Sequence, residues 1–313
     1  MSISGHDRTQ MLAPRTELPK LTDRLPLGTT GLLVSPICCG MTFDDHVVPA
    51  AFEAGINFFF LSADMHWPMY ESIRKGLEDL LRGHPSRRDE IVVAATCYVT
   101  QPEFCFAPFD EVLEAIPSLG RIDITVAGGS YAPEILTRIE IFKLHRAIKH
   151  AGASGIGASF HDRTVARELL DQGFLDIQFV RYNPVHPGAQ KDVFQHAKPR
   201  PERSTLLFNF KSTESYVDNE EHLKEMGVEE DNWRPHITDY YRFALTAPAL
   251  DGILVGMPDA DGVRQLADAL AKGPLDEEDH QYLLDLGVLE KRRREAEKLR
   301  KTRENIAKLR LET

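Results

Sequence analysis

The sequence predicts a single (β/α)8 barrel, and three observations support this prediction. Short apolar runs alternate with amphipathic stretches in one unbroken series of eight pairs. The chain has 313 residues, 42% of them hydrophobic, which is enough to bury the core of such a barrel. The clearest pair begins with the apolar run from Ile56 to Leu61, followed by a polar loop and a helical pattern that begins near Tyr70.

The remaining elements follow from the same alternation of periods. Strands are predicted near residues 34–39, 56–61, 91–96, 122–127, 155–159, 175–181, 205–210 and 251–255. Helices are predicted near residues 46–54, 70–82, 109–118, 133–151, 163–172, 189–196, 235–246 and 260–271, the sixth being short and flanked by prolines. Before the first strand, Gly28 and Gly31 stand between short apolar runs and predict a hairpin.

Three segments fall outside this alternation. Residues 1–24 are polar and interrupted by Pro14 and Pro19, which predicts an arm that lies on the surface or is disordered. Residues 25–285 form the predicted barrel domain, and residues 286–313 form a predicted charged helix. Within the barrel domain, residues 211–234 are a long acidic loop after the seventh strand, and such a loop is a solvated insertion, a lid or a partner surface.

The C-terminal stretch from Val288 carries ten basic and five acidic residues. Leu289, Ala296, Leu299 and Ile306 recur at helical spacing, which predicts a weakly amphipathic helix. We expect this helix to form a contact with a second copy of the chain, and a solvated helix is the alternative.

Charge and cysteine content limit the classes of partner. A net charge of −11 disfavours nucleic acid and anionic membrane surfaces, and no apolar run is long enough to span a membrane. The four cysteines have no repeated spacing, so we expect buried thiols in a reducing, cytoplasmic compartment. Cys39, His66, Cys97 and His161 come from four different strands without a close ligand pair, so no metal site is predicted.

Several motifs resemble aldo-keto reductases over about residues 25 to 285. The segment Gly55-Ile-Asn-Phe-Phe resembles the second strand of that family, Gly155-Ile-Gly-Ala-Ser resembles its fifth strand, and Val255-Gly-Met-Pro resembles its cofactor-side eighth strand. The segment Phe179-Val-Arg-Tyr-Asn-Pro resembles the sixth strand of a bacterial branch. The resemblance implies a TIM barrel of aldo-keto reductase type and an NADPH cofactor.

The four catalytic residues of that family are replaced in this chain. Where the family has Asp, Tyr, Lys and His, this chain has Leu61, His66, Cys97 and Gly128, if one extra Phe is allowed in the run from Phe58 to Phe60. In the family, Lys and Asp adapt a phenol to donate a proton near neutral pH, whereas an imidazole does so unaided. His66 is therefore the candidate proton donor, and loss of all four residues would equally suit a barrel without catalysis.

Polar residues at or after the strand ends should surround one cavity, because the active sites of such barrels lie at the C-terminal ends of the strands. Arg181 shares a strand face with Phe179 and should hold an anionic part of a substrate. The candidate residues are His66, Asp64, Tyr98 and His161 for catalysis; Trp67, Arg181, His186 and Lys211 for substrate; and Ser159, Phe210, Gly256 and Arg264 for cofactor.

The leading functional hypothesis is an atypical aldo-keto reductase-like oxidoreductase that reduces a carbonyl or related group with NAD(P)H. The first alternative is an acid/base enzyme, a lyase, isomerase or cyclase, that uses the same pocket without a cofactor. The second is a non-catalytic barrel that acts as a binding or scaffold protein. The polar rim favours an enzyme over a scaffold.

Overall fold

Eight parallel strands close into a barrel in the computed structural model of the chain, which describes residues 12–101, 104–130, 134–148, 154–170 and 172–311. A hairpin of β1 (Leu25–Pro26) and β2 (Leu33–Val34) precedes the barrel. The barrel strands are β3 (Ile37–Cys39), β4 (Phe58–Ser62), β5 (Val92–Cys97), β6 (Ile124–Ser130), β7 (Gly155–Phe160), β8 (Ile177–Arg181), β9 (Leu206–Phe210) and β10 (Gly252–Val255). They pair in chain order, and β10 closes the barrel against β3. The predicted (β/α)8 fold and its hairpin are confirmed.

Ten α-helices are found in the part of the chain that the structure describes. They are α1 (Val47–Glu53), α2 (Glu71–Leu81), α3 (Ala107–Ala115), α4 (Glu134–Ile148), α5 (Arg163–Leu170), α6 (Ala189–Asp192), α7 (Glu220–Glu225), α8 (Ile237–Thr246), α9 (Asp261–Ala271) and α10 (Glu277–Leu311). The sixth predicted helix is reduced to the single turn of α6 and a 3-10 turn at Phe194–His196. None of the described helices contains an apolar stretch long enough to cross a membrane.

Phenylalanine rings fill the inside of the barrel. Phe58, Phe60, Phe179 and Phe208 belong to the interior cluster, and the ring centroids of Phe60 and Phe179 are 5.3 Å apart in an edge-to-face contact. Phe208 contacts both Phe58 and Phe179 at 5.7 and 5.9 Å. These rings form a solid plug, so any ligand space lies above it, at the C-terminal ends of the strands.

A side-chain device recurs at the N-terminal end of the barrel. Asp123, Asp176 and Asp251 each precede a strand, and each carboxylate accepts a backbone N–H from the neighbouring strand, at Val93, Ile156 and Leu207, at 2.7 to 2.9 Å. Asn57 does the same for Ser35 at 2.7 Å. Gly28 of the hairpin lies against Asp176, since a Cβ at this position (φ +50°) would lie 2.1 Å from the Asp176 Oδ1 atom. These contacts join neighbouring strands in pairs at the N-terminal end of the barrel.

Two predicted segment boundaries differ from the structure. The last helix begins at Glu277 rather than near residue 286, because Leu283 and Leu286 extend its buried face onto the barrel. The long loop after β9 contains α7 and packs Leu223, Met226 and Val228 into the core on the helix side of the barrel. The part of the predicted arm within the described residues lies on the barrel, where Leu18 and Leu21 are buried; residues 1–11 lie outside the described residues.

Candidate active site

The loop after β4 carries His66 to the mouth of the barrel. Its Asp64 carboxylate accepts the backbone N–H groups of Met65 and Tyr98 at 2.6 Å each and of Val99 at 3.1 Å. Asp64, one of the predicted catalytic residues, therefore fastens this loop to the end of β5. The imidazole of His66 meets the ring of Tyr98 edge to face, with centroids 5.3 Å apart.

Tyr98 occupies the space that Gly128 leaves open. A Cβ on Gly128 would lie 2.8 Å from the Tyr98 ring and 2.7 Å from the Thr96 Oγ1 atom, so a side chain cannot be placed there without moving this ring. Burial and the nearby Asp64 carboxylate raise the pKa of Tyr98, and the Arg138 guanidinium opposes that shift. The Tyr98 phenol therefore stays protonated and keeps a proton that it can donate.

A buried guanidinium supports the backbone around Tyr98. Arg138 of α4 is 1% exposed and donates to the carbonyls of Cys97 and Gly128 at 2.5 and 2.9 Å. It holds together the ends of β5 and β6. The sequence carries no signal for this role of Arg138, because a charged side chain in a helical pattern is typical of a solvated face.

Tyr70, like Arg138, lies near the mouth but is not among the site residues predicted from the sequence. Its ring lies 6.3 Å from that of Phe60 and packs against the barrel interior. Burial, followed by the proximity of Tyr98 and Cys38, raises its pKa, so this phenol also stays protonated. Trp67, predicted to bind substrate, is instead covered on one face by the Arg74 guanidinium, 3.7 Å from its ring centroid.

Two of the positions aligned with the family's catalytic residues face away from the mouth. Leu61 and Cys97 belong to the core between strands and helices, and burial raises the pKa of Cys97 to about 12. Because neighbouring strand residues face opposite sides, Ser62 and Thr96 face inward in their place. The one-residue alignment of Leu61 and Cys97 with the family's Asp and Lys is therefore wrong for side-chain direction. All four cysteines are buried thiols.

A second polar group lies on the opposite side of the mouth, since β8 and β9 stand four strands from β4 and β5 in the closed barrel. Arg181 ends β8, and its Nη1 atom is 3.9 Å from the Glu214 Oε2 atom. His186 Nδ1 is also 3.9 Å from that oxygen. Both separations exceed hydrogen-bond length, so the guanidinium of Arg181 keeps donors for a ligand.

The cations of this group affect the neighbouring imidazoles. Desolvation, Arg181 and Lys211 lower the pKa of His161, whereas Glu214 raises it. Desolvation and Arg181 lower the pKa of His186 in the same way. His161 lies against the ring of Phe210 with centroids 5.8 Å apart. When both histidines are neutral, Arg181 and Lys211 carry two positive charges against the one negative charge of Glu214. This side of the mouth therefore attracts an anion.

The residues predicted for a cofactor are divided between the mouth and the outer surface. Ser159 is buried, and its Oγ atom accepts the Gly129 N–H at 3.0 Å. Gly256 follows β10, and its carbonyl accepts the Tyr241 hydroxyl at 2.7 Å. Arg264 lies on the exposed face of α9, where it pairs with Asp261 and Asp268 at 2.9 and 3.1 Å.

The chain is similar in fold to solved structures of other proteins. No family model matches the chain, and no curated protein matches its sequence. The aldo-keto reductase AKR11C1 from Bacillus halodurans, in its holo form, superimposes with a TM-score of 0.62 and 16% identity, covering 85% of this chain and 96% of that one. A proposed aldo-keto reductase from Pseudomonas aeruginosa, PA4992, gives a TM-score of 0.59 at 16% identity, covering 81% and 96%. The chain therefore has the barrel fold of the aldo-keto reductases.

Proposed function

We propose that this protein is an oxidoreductase that reduces the carbonyl group of a small anionic substrate with a nicotinamide dinucleotide. The observation that carries this proposal is the division of the mouth into a side with two proton-bearing rings, His66 and Tyr98, and a cationic side, with Arg181 and Lys211. A substrate that spans the mouth would present its carbonyl to the first side and its anionic group to the second. The fold similarity supports the same class of reaction.

His66 is the proposed proton donor to the carbonyl oxygen. It stands in a loop that Asp64 fixes to β5, and its ring rests on Tyr98. An imidazole exchanges protons near neutral pH without a cation beside it, so the absence of a lysine at Cys97 is compatible with this role. The Tyr98 phenol would donate a hydrogen bond to the same oxygen and stabilise the charge that develops there.

The residues at the mouth fit the nicotinamide end of such a cofactor. The Ser159 hydroxyl accepts one N–H and keeps its own proton to donate to a carboxamide. The half-buried ring of Phe210, at the end of β9 two strands further round the barrel, offers a flat surface for stacking. When bound, the reduced nicotinamide supplies the hydride, and the side chains of this chain supply the proton and hold the substrate.

The residues around Arg264 on the outer surface fit the 2′-phosphate of NADPH poorly. Asp261 and Asp268 neutralise Arg264, and Asp259 and Asp261 stand at the beginning of α9. Carboxylates in such a place suit the hydroxyl groups of a ribose better than a phosphate. We therefore expect NADH to be preferred to NADPH, in contrast to the cofactor that the sequence resemblance implies.

The test is a titration with NADH and with NADPH. Calorimetry measures binding to the original protein, and the fluorescence of Trp67 reports binding in a Trp233→Phe protein. NADH should bind saturably and at least tenfold more tightly than NADPH. The double substitution Asp261→Ala and Asp268→Ala should free Arg264 and reduce the ratio of NADH affinity to NADPH affinity. Asp79→Ala, at an exposed position on α2, is the matched control. If neither nucleotide binds below millimolar concentration, the oxidoreductase proposal fails.

The same neutralised Arg264 favours one other candidate function, acid/base chemistry without a cofactor at the same mouth. His66 and the neutral His161 would then serve as acid and base on an anionic substrate held by Arg181. Turnover of a substrate in nucleotide-free buffer, lost in His66→Ala, would establish this candidate.

A further inference from the structure

The insertion between β9 and α8 encloses a cavity of about 220 Å³ that is separate from the barrel mouth. Its floor is apolar and consists of Leu223, Met226, Val228 and Leu286, all at most 8% exposed. Tyr216, Tyr240 and Trp233 form its walls, and the first two rings are 5.6 Å apart edge to face. The Tyr282 hydroxyl fixes the backbone of Trp233 through a 3.0 Å hydrogen bond to its carbonyl. The aromatic wall is thus built into the insertion.

Three charged residues also line this cavity. Arg234 is the one arginine or lysine among the lining residues, and Asp218 and Glu220 are the two carboxylates. The Arg234 Nη2 atom is 3.9 Å from the Glu220 Oε2 atom, too far for a hydrogen bond, and its Nη1 atom is buried with no hydrogen-bond partner in the described chain. His236 also lines the cavity, but its Nδ1 atom contacts the Thr238 hydroxyl at 2.9 Å.

This charge pattern discriminates among ligand classes. A simple anion would pair with Arg234 but would meet two carboxylates, and a simple amine would pair with the carboxylates but would meet Arg234. A zwitterion satisfies both signs, and an α-amino acid carries its ammonium and carboxylate on one carbon. Its side chain would then enter the apolar floor, where burying each CH₂ group is worth about 0.8 kcal/mol. At about 220 Å³ the cavity is smaller than the pockets of about 300–1,000 Å³ that hold drug-sized ligands, which restricts the ligand to a smaller molecule such as an amino acid.

We propose that the insertion cavity binds a free α-amino acid with an apolar side chain, with its carboxylate on Arg234 and its ammonium on Asp218 and Glu220. This site is additional to the mouth, and it does not depend on the proposed reaction. Ser215 and Tyr216 of the cavity wall directly follow Glu214, which reaches Arg181 at the mouth. A bound amino acid would therefore contact the segment that carries the counter-ion of the substrate-binding arginine.

The experiment compares L-leucine with two analogues of the same apolar part, 4-methylpentanoate without the ammonium and isoamylamine without the carboxylate. Binding to the full-length protein is measured by calorimetry, and Trp233 fluorescence is followed in a Trp67→Phe protein, because Trp67 is the other tryptophan of the chain. L-Leucine should bind in a 1:1 ratio and change Trp233 fluorescence. Each analogue, and glycine, should bind at least tenfold more weakly.

Variants locate the ligand. Arg234→Gln should weaken L-leucine binding at least tenfold, as should Leu223→Trp, which fills the floor. Arg82→Gln, an exposed arginine paired with Glu78 and Asp79, is the matched control and should leave binding unchanged. If Arg82→Gln weakens L-leucine binding as much as Arg234→Gln does, the loss is not specific to Arg234 and the proposal is overturned. Equal affinity for L-leucine and either analogue, or no saturable binding, would overturn it as well.

Discussion

Gly128 lies against the ring of Tyr98, and this contact determines what the mouth of the barrel can contain. A Cβ at residue 128 would come within 2.8 Å of that ring and 2.7 Å of the Thr96 Oγ1 atom. Where the aldo-keto reductases that the sequence resembles have a histidine, this chain therefore has an aromatic ring from the neighbouring strand. The ring in turn supports His66, so the replacements at the mouth are physically connected.

A Gly128→Ala substitution tests this connection. The added methyl group should displace the Tyr98 ring and lower the free energy of unfolding by about 1–3 kcal/mol, the usual cost of overpacking. Urea denaturation measures this change. In the Tyr98→Ala background the same substitution should cost less, with the remaining cost coming from Thr96. Equal costs in the two backgrounds would show that the ring is not held against Gly128.

His66 should carry the proton transfer if the protein is an enzyme. His66→Ala should lower turnover by about 10²–10⁴-fold, the usual contribution of a positioned acid or base. Nucleotide binding should remain within about twofold, because the residues proposed to hold the nicotinamide, Ser159 and Phe210, belong to β7 and β9, whereas His66 follows β4. His84→Ala, at an exposed position before the turn at residues 85–89, is the control. Full activity of the His66→Ala protein would transfer the proton-donor role to another group.

At the scale of single residues, the sequence predicted strand-end positions better than side-chain directions. Arg181 ends β8 as predicted, and Phe179, two residues earlier, packs inside the barrel. Leu61 and Cys97 were matched one residue out of phase, because an alignment that tolerates one extra Phe cannot fix the alternation of a strand. The helical pattern that begins near Tyr70 predicts only a helix start there, although an aromatic residue four positions after His66 is also a signal for a second ring at the mouth.

The Asx residues that precede alternate strands act at the scale of the elements. Asp123 also pairs with the buried guanidinium of Arg88 at 2.8 Å, and Asp251 pairs with Arg203 at the same distance. Each carboxylate therefore satisfies a strand N–H and a buried cation together. The sequence did not suggest this arrangement, because an aspartate before an apolar run is also typical of an ordinary loop.

Removal of one of these carboxylates should be costly. Asp123→Ala leaves the Arg88 guanidinium without its buried counter-ion and the Val93 N–H without its acceptor, so the free energy of unfolding should fall by about 3–5 kcal/mol. Asp79→Ala, whose carboxylate is exposed on α2, should change it by less than about 0.5 kcal/mol. Guanidinium denaturation measures both values. A loss below about 1 kcal/mol for Asp123→Ala would contradict this role.

The contact between α8 and α10 should make stability depend on pH. His280 of α10 stacks on Phe243 of α8 with centroids 4.5 Å apart, and burial lowers its pKa. The unfolded chain therefore takes up this proton first as the pH falls. The stabilisation that comes from burying the neutral His280 imidazole is fully present above the unfolded-state pKa of about 6.5. It is lost as the pH falls through the folded-state pKa.

His280→Phe keeps a flat ring on Phe243 but cannot be protonated. The free energy of unfolding of this variant should fall less steeply between about pH 7 and pH 5 than that of the original protein. Denaturation curves recorded at several pH values measure the slope, and His84→Gln, at an exposed position, is the control variant. Slopes that coincide for His280→Phe and the original protein would remove His280 as a cause of acid sensitivity.

On the scale of the whole molecule, α10 connects the barrel to the insertion. Leu283 and Leu286 are buried, and Glu290, 2% exposed, pairs with Arg293 and Arg294. Arg294 also donates to the Glu214 carbonyl at 2.6 Å, at the beginning of the insertion. Residues 298–308 are exposed along their whole length. The sequence predicted a helix here from its spacing, but the buried role of Glu290 depends on arginines and a carbonyl that only the fold brings together.

Two truncations separate the parts of this helix. A chain that ends at Lys298 keeps the contacts of Glu290 and Arg294, so its melting temperature should stay within about 2 °C of the original, a stability change below about 1 kcal/mol for a chain of this size. A chain that ends at Gly287 loses them, and its insertion should become more accessible to proteases, because Glu214 loses the Arg294 donor. Light scattering on the first chain tests the expected contact between copies. Fewer copies per particle than in the full chain would assign the exposed basic half to self-association. An unchanged mass would make that half a solvated helix, and unchanged proteolysis of the second chain would show that the insertion holds its structure without α10.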